Sequence, residues 1–158
     1  MPLEIERKFI VTSPDWKKHT LVKKIPIDQG YFQRDMHPTV RIRVTNDQAF
    51  ATIKGNQKGL TRSEFEYELP YHDGLELLKL CEKPLVRKVR YVIVDNFNQL
   101  WEIDVFKGLN KGLVLAEIEL ESEKQPVTIP GWVGREVTDD PLYRNTSLAI
   151  DKVVESRA

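Results

Sequence analysis

Charged residues recur along the chain in pairs separated by one position, and each pair carries a single sign of charge. The acidic pairs are Glu4/Glu6, Glu64/Glu66, Glu102/Asp104 and Glu117/Glu119, and the basic pairs are Arg41/Arg43 and Lys88/Arg90. Arginine offers phosphate oxygens a planar fork of donors and lysine a compact charge. Carboxylates are the ligands that hard divalent cations prefer. The pairs therefore predict chemistry on a compact polyanion, phosphate above all, with a metal ion.

Alternation of apolar and polar residues predicts that these pairs lie on β-strands, where positions i and i+2 share a face. Eight strands are expected, at residues 3–11, 29–34, 38–45, 48–54, 62–69, 86–95, 99–106 and 113–122. Turn-forming residues such as Asn46-Asp47 separate them, so most neighbouring strands should pair antiparallel.

Helical signals are weaker. Ser13-Pro14-Asp15 resembles a capped helix start, and residues 74–83 carry leucines near helical spacing. A third helix is expected after Asp140-Pro141. Its apolar side would consist of Leu142, Leu148, Ile150, Val153 and Val154.

Two interpretations of the charged strand faces are open. In the first, the apolar face covers a core and the charged face is solvated, which is the usual arrangement of an antiparallel sheet. In the second, the strands close into a barrel with the charged face inside. Strands are generally poor in Glu, Lys and Asp, the signs of charge segregate by strand, and the helices need apolar outer faces. These features favour an α+β fold, a closed eight-stranded antiparallel β-barrel with a charged lumen and helices packed outside.

An eight-stranded barrel has room for side chains or one small ligand. The basic residues that could bind phosphate there are Lys8, Arg41, Arg43, Lys54, Lys88 and Arg90. The facing carboxylates would repel such an anion unless a cation intervened, so a divalent metal is implied. The sequence contains no Walker motif or dinucleotide fingerprint. Side chains rather than backbone amides should therefore bind the anion.

Composition limits the remaining classes of function. The 158 residues are expected to form one domain. The chain holds 24 basic and 24 acidic residues, a balance that argues against a nucleic-acid or membrane-surface binder. The single cysteine, Cys81, excludes an intramolecular disulfide and a cysteine-rich metal site. No apolar run approaches the roughly 20 residues of a membrane span, and a cytoplasmic protein is expected.

The chain resembles the CYTH superfamily, also called triphosphate tunnel metalloenzymes. Glu4-Ile5-Glu6-Arg7-Lys8 fits the family's E-x-E-x-K signature. The resemblance continues through Gln29-Gly30-Tyr31, Arg41-x-Arg43, Ile53-Lys54, Arg62-Ser63-Glu64-Phe65-Glu66, Lys88-Val89-Arg90-Tyr91, Glu102-Ile103-Asp104-Val105 and Glu117-Ile118-Glu119. Small bacterial inorganic triphosphatases look most similar. The resemblance implies hydrolysis of inorganic triphosphate to pyrophosphate and phosphate in an eight-stranded tunnel, with Mg²⁺ or Mn²⁺ as cofactor.

The resemblance also implies roles for individual residues. Glu4, Glu6, Glu117 and Glu119 would hold the metal, and Lys8, Arg41, Arg43, Lys54, Lys88 and Arg90 would bind the triphosphate. Glu64, Glu66 and Asp104 would hold a second metal or order the attacking water. Lys8 and Tyr31 would form a catalytic pair. A homodimer is expected for a small domain of this class.

Two other functions remain open. A class IV type adenylyl cyclase would need a nucleoside pocket beyond the triphosphate site and would release cyclic AMP from ATP. A non-catalytic polyphosphate or nucleotide sensor would bind without turnover. Arg34, Arg135 and Arg144 could steer an anion to the tunnel mouth, although exposed arginines are commoner. The three histidines lack metal-ligand spacing, and the three tryptophans are expected to pack in the core.

Overall fold

A computed structural model describes residues 3–148 of the chain. The strands are β1 (Leu3–Val11), β2 (Thr20–Tyr31), β3 (Thr39–Val44), β4 (Ala49–Lys54), β5 (Thr61–Leu69), β6 (Val86–Val94), β7 (Leu100–Phe106), β8 (Val114–Glu119) and β9 (Val133–Glu136). The α-helices are α1 (Tyr71–Leu80) and α2 (Asn145–Leu148), and short 3₁₀ helices span Pro14–Lys18, Gly108–Asn110 and Pro141–Tyr143.

The strands form a ring of antiparallel pairs. Eight of them follow one another in the order β5-β4-β3-β2-β6-β7-β8-β1, and β1 pairs back to β5 through Leu3 with Ser63 and Ile5 with Thr61. The ninth strand, β9, pairs with the second half of β1. The expected antiparallel arrangement of eight strands, with helices beside it, is therefore confirmed as a ring.

Two strand predictions were incomplete. The second strand was expected at residues 29–34, but β2 spans Thr20–Tyr31. A register shift between Leu21 and Lys23 breaks the alternation near its start, and Pro26 lies within the run, a residue that argues against a strand in a sequence pattern. The four-residue strand β9 was not expected, because it is short and contains Gly134.

The helix predictions were close in position. The helix expected at residues 74–83 is α1, which begins at Tyr71 and ends at Leu80. The capped start at Ser13 is confirmed, since its hydroxyl accepts a 3.1 Å hydrogen bond from the Asp15 amide, although the helix is a short 3₁₀ turn. After Asp140 come the 3₁₀ turn Pro141–Tyr143 and α2. The expected contributions of Ile150, Val153 and Val154 lie outside the described residues.

Apolar residues on the outer strand faces pack beneath the surrounding segments. Helix α1 covers β3 and β4, with Leu78 in one cluster with Ile42 and Val44. Gly74 allows this close approach, because a Cβ there would collide with Ala49. The expected burial of all three tryptophans is confirmed, with Trp16, Trp101 and Trp132 at 3%, 0% and 3% exposure. Among the described residues, no helix has the length and apolar character needed to cross a bilayer.

The charged strand faces point into the ring rather than to solvent. Arg41, Lys88, Arg90, Asp104 and Glu117 are each less than 9% exposed, which excludes the solvated interpretation for these residues. At one end of the interior the charged stripes give way to apolar residues on the same strand faces. This apolar end consists of Ile10, Val86, Phe106, Leu113, Leu115, Val137, Tyr143 and Leu148. The charged interior is thus bounded on one side by a packed apolar cluster.

Candidate active site

Two adjoining cavities lie among the charged residues of the ring. The larger has a volume of about 340 Å³ and the second about 260 Å³, and both are lined by Glu4, Glu6, Arg41, Lys54 and Asn145. The larger cavity also contacts Lys8 and Tyr31. The second also contacts Arg43, Glu64, Glu66, Arg90, Glu102, Glu117 and Glu119. All of the predicted site residues except Lys88 and Asp104 therefore line one or both cavities.

Arg41 and Arg43 project from β3 into the interior because they are two positions apart on one strand. An Nη atom of Arg41 donates a 3.3 Å hydrogen bond to the Thr52 hydroxyl and lies 3.8 Å from Glu66. The Arg43 Nε–H donates to Gln29 Oε1 at 2.9 Å. Burial, with Arg41 and Arg90 nearby, lowers the pKa of Arg43 to about 9. Arg43 is thus still a cation at neutral pH, in a region crowded with positive charge.

Lys54 joins two of the predicted acidic groups. Its ammonium lies 2.9 Å from Glu4 Oε1 and 3.2 Å from Glu64 Oε2. Burial, reinforced by Glu64, raises the pKa of Glu4. Burial alone would also raise the pKa of Glu64, but its hydrogen bond with Glu4 and the charge of Lys54 lower it instead. The lysine and the two carboxyl groups therefore share charge and protons as one unit.

A second carboxyl pair lies between β1 and β8. Burial together with the charge of Glu117 raises the pKa of Glu6 well above its usual range. Burial alone would raise the pKa of Glu117 too, yet Lys8 and Arg90 lower it well below its ordinary value. Glu6 is thus favoured as the protonated partner and Glu117 as the carboxylate. Glu119 follows on the same strand face at the exposed end of β8.

Lys8 and Tyr31, the predicted catalytic pair, both line the larger cavity. The Lys8 ammonium donates a 3.1 Å hydrogen bond to the carbonyl oxygen of Tyr143 and lies 3.9 Å from Glu117 Oε1. Tyr31 ends β2 and is 6% exposed. The segment that contains Tyr143 therefore holds Lys8 at the edge of the cavity.

Lys88, Arg90 and Asp104 form a buried network beside the apolar end of the interior. The Lys88 ammonium lies 2.6 Å from Asp104 Oδ2, and Arg90 donates two bonds to the same carboxylate at 2.8 and 3.0 Å. Burial lowers the pKa of Lys88 to about 7. Burial would raise the pKa of Asp104, but the two cations outweigh it and lower the pKa to about 2. Asp104 is thus an ionised carboxylate fully engaged by its neighbours.

Sequence patterns missed part of the cavity lining. His37, Asn56, Gln57, Arg62, Thr138 and Thr146 also line the larger cavity, as do Arg34 and Arg144, for which anion steering at the tunnel mouth was considered. Arg62 shares a strand face with Glu64, so alternation could have placed it there. No periodic signal could have brought Asn145 to both cavities, because it begins the four-residue helix α2, outside the strands.

The acidic residues have the donor chemistry of a hard-cation site, but not yet its geometry. Within residues 3–148, no three acidic, histidine or cysteine side chains converge closely enough to hold a metal ion. The carboxylates of Glu4, Glu6, Glu117 and Glu119 nevertheless line the second cavity together, and oxygen ligands of this kind suit Mg²⁺ or Mn²⁺. Their mutual repulsion is relieved by lysines and by shared protons, which a divalent cation could replace.

Comparisons with known proteins show which family and which proteins the chain resembles. Residues 2–148 match the CYTH domain family. The chain is 46% identical over 150 residues to the inorganic triphosphatase of Acetivibrio thermocellus, covering 94% of each chain. It is 37% identical over 151 residues to the inorganic triphosphatase of Nitrosomonas europaea, covering 93% of this chain and 97% of the relative.

A solved structure shows the same fold. The crystal structure of the inorganic triphosphatase NE1496 superimposes with a TM-score of 0.70 at 35% identity, covering 96% of this chain and 97% of that one. The family match spans residues 2–148, and both relatives are more than 35% identical to the chain. The protein therefore belongs to the CYTH domain family.

Proposed function

We propose that the protein hydrolyses inorganic triphosphate to pyrophosphate and orthophosphate, with the strand ring acting as a closed tunnel around the substrate. Two relatives more than 35% identical to the chain are inorganic triphosphatases, the activity expected from the sequence. The observation that carries the proposal is the pairing of buried or largely buried cations with carboxylates around two adjoining cavities. A bound triphosphate and a metal would take over these pairings.

Four basic side chains are suited to hold the phosphates, because they contact the second cavity from three strands. They are Arg41 and Arg43 on β3, Lys54 on β4 and Arg90 on β6. Charge-assisted hydrogen bonds to phosphate are short and strong, and burial strengthens them further. These side chains would fix the substrate in line for attack and neutralise charge at the transferred phosphoryl group. Positioning and charge neutralisation supply most of the catalysis of phosphoryl transfer.

Glu4, Glu6, Glu117 and Glu119 would hold Mg²⁺ or Mn²⁺, which when bound screens the phosphate charge. Glu64 and Glu66 line the same cavity and would support a second metal or orient the attacking water. Asp104 was predicted for that group as well. Because its carboxylate is engaged by Lys88 and Arg90, its contribution would be to keep these two cations in place.

Lys8 would act as the general base, oriented with the help of Tyr31. Water attacks the terminal phosphorus, Lys8 Nζ accepts the water proton, and the bond to the bridging oxygen breaks to release pyrophosphate. Only an uncharged amine can accept that proton. Such an amine keeps two N–H groups, so it can still donate a hydrogen bond to the Tyr143 carbonyl after deprotonation.

Phosphate release should be measured with tripolyphosphate, pyrophosphate, ATP and thiamine triphosphate, each with a range of divalent metals. The proposal predicts turnover of tripolyphosphate above the other substrates and release of pyrophosphate. Cyclic AMP formed from ATP would instead establish the adenylyl cyclase. Binding of tripolyphosphate without turnover at any metal would establish the sensor.

The single domain, the homodimer and the cytoplasmic location remain predictions. Light scattering coupled to gel filtration would give the mass of the particle, which for a homodimer is twice the 18.4 kDa of one chain.

A further inference from the structure

Arg43 differs from the other predicted phosphate ligands in its surroundings. Each of the others lies within 4.0 Å of a carboxylate oxygen; the pairs are Lys8 with Glu117, Arg41 with Glu66, Lys54 with Glu4 and Glu64, Lys88 with Asp104, and Arg90 with Glu102 and Asp104. Arg43 has no such partner among residues 3–148, although it lines the second cavity. Its charge is therefore not neutralised by an ion pair.

The side chain that accepts a hydrogen bond from Arg43 is a neutral one. Gln29 lies directly opposite Arg43 in the antiparallel pair of β2 and β3, so the two side chains share the inner face. Gln29 is 0% exposed, and its Oε1 accepts the Arg43 Nε–H at 2.9 Å. A neutral acceptor can orient a guanidinium without cancelling its charge.

The amide of Gln29 is oriented by this one bond. Its Nε2 is buried and has no hydrogen-bond partner in the described part of the chain. A buried unpaired donor is costly, yet turning the amide over would place its N–H groups against the donating Arg43 Nε. The bond to Arg43 therefore decides the orientation of the amide and leaves its Nε2 without an acceptor among the described residues.

Glutamate has the length of glutamine and would pair with Arg43 directly. Burial, together with the charges of Arg41 and Arg90, lowers the pKa of Arg43 to about 9, and a carboxylate at position 29 would offset the repulsion among these three guanidinium groups. A neutral residue at position 29 instead leaves a surplus of positive charge at the cavity wall. An incoming anion would compensate that surplus.

We propose that Gln29 is a positioning residue of the triphosphate site, which holds the Arg43 guanidinium at the second cavity and leaves its full charge for a phosphate oxygen. The inference rests on the proposed function, because tripolyphosphate is the anion. In this role Gln29 affects the affinity for tripolyphosphate through its contact with Arg43, without touching the substrate itself.

Gln29→Glu tests the inference, because it keeps the side-chain length and adds the charge that would neutralise Arg43. The KM for tripolyphosphate should rise about tenfold or more, the scale of one lost hydrogen bond to a charged group, while kcat at saturation changes much less. Gln48→Glu is the matched control, since Gln48 is exposed on the turn between β3 and β4, and it should leave KM unchanged. A Gln29→Glu protein that folds and keeps the wild-type KM would overturn the inference.

Gln29→Met provides a second test that does not place a new charge in the interior. It removes the acceptor for Arg43 and should raise KM less than Gln29→Glu. In an Arg43→Met background, Gln29→Met should raise KM no further, because its effect passes through Arg43. Independent, additive increases would overturn the inference.

Failure of the inference is distinguishable from failure of the proposed function. Wild-type protein that neither binds tripolyphosphate nor releases phosphate would contradict the function itself. Wild-type protein that binds tripolyphosphate, beside a Gln29→Glu variant that binds it equally well, would contradict only the role of Gln29.

Discussion

The ammonium of Lys54 lies 2.9 Å from Oε1 of Glu4, so a proposed phosphate ligand and a proposed metal ligand neutralise each other. The side chains of Lys54 and Glu4 are 15% and 14% exposed. Removing one partner from such a pair leaves a poorly solvated charge. Triphosphate alone would leave Glu4 without its lysine, and a metal alone would leave Lys54 with Glu64 as its one remaining carboxylate partner among residues 3–148. We therefore expect metal and triphosphate to enter the site together.

Glu117→Gln and Glu119→Gln should each reduce kcat by about 100-fold or more, the range seen when a group acting on transition-state charge is lost. The amide keeps the volume of the carboxyl group and loses the charge that would hold the metal. Circular dichroism should show an unchanged fold. Glu121→Gln, at an exposed position outside both cavities, is the control. Normal turnover in both folded variants would make this acidic stripe structural.

Arg41→Ala should weaken substrate binding, because Arg41 is 5% exposed and lines both cavities. Loss of a charge-assisted hydrogen bond predicts an increase in KM of about tenfold or more. The measurement is the dependence of phosphate release on tripolyphosphate concentration. An unchanged KM and kcat would remove Arg41 from the substrate site.

Lys8→Arg separates proton transfer from charge. Arginine keeps a positive charge for phosphate but cannot act as a base near neutral pH. The variant should bind tripolyphosphate and lose most of its turnover, by roughly 100-fold or more on the scale of general-base catalysis, and Tyr31→Phe should lose less.

Lys88 is not an alternative base in that experiment. Burial lowers the pKa of Lys88 to about 7, but its ammonium is engaged by Asp104 and it lines neither cavity. Wild-type turnover in Lys8→Arg would therefore make Lys8 a phosphate ligand only.

Asp104→Asn should destabilise the fold, because it leaves Lys88 and Arg90 buried without their shared carboxylate. Breaking a buried pair costs about 3–5 kcal/mol. Urea unfolding monitored by circular dichroism would measure the loss, and a stability within error of wild type would show that the network contributes little.

The same carboxylate predicts a pH dependence of stability. Folding lowers the pKa of Asp104 from 3.8 to about 2, so protonation opposes folding. Its contribution is complete above the ordinary pKa and is lost as pH falls from about 4 toward about 2. Asp104→Asn should lack this component of acid destabilisation.

The sequence pattern was sufficient to predict which side chains lie on the inner faces of the ring, because alternation on a regular strand decides which residues share a face. Arg41 and Arg43 on β3 are the clearest case. The pattern failed where regular alternation ended, at the register shift near Leu21 in β2. It also could not show that Lys88 and Asp104 would neutralise each other, since that depends on the register in which β6 pairs with β7.

The segment that contains the 3₁₀ turn Pro141–Tyr143 and α2 shows a different limit of prediction from sequence. The carbonyl oxygen of Tyr143 holds Lys8 across 135 positions of the chain, and Asn145 reaches both cavities. Neither residue belongs to a periodic run. Such contacts arise from the path of the chain in three dimensions, which residue types alone do not specify.

The most direct test of the central claim is phosphorus NMR of tripolyphosphate incubated with the protein and Mg²⁺ or Mn²⁺. The account predicts equal amounts of pyrophosphate and orthophosphate, with turnover abolished by exhaustive chelation and restored by adding back either metal. Ca²⁺ should support little turnover, because it is larger and tolerates looser coordination than an octahedral site requires. Intact tripolyphosphate after prolonged incubation with every metal, or full turnover after chelation, would contradict the account.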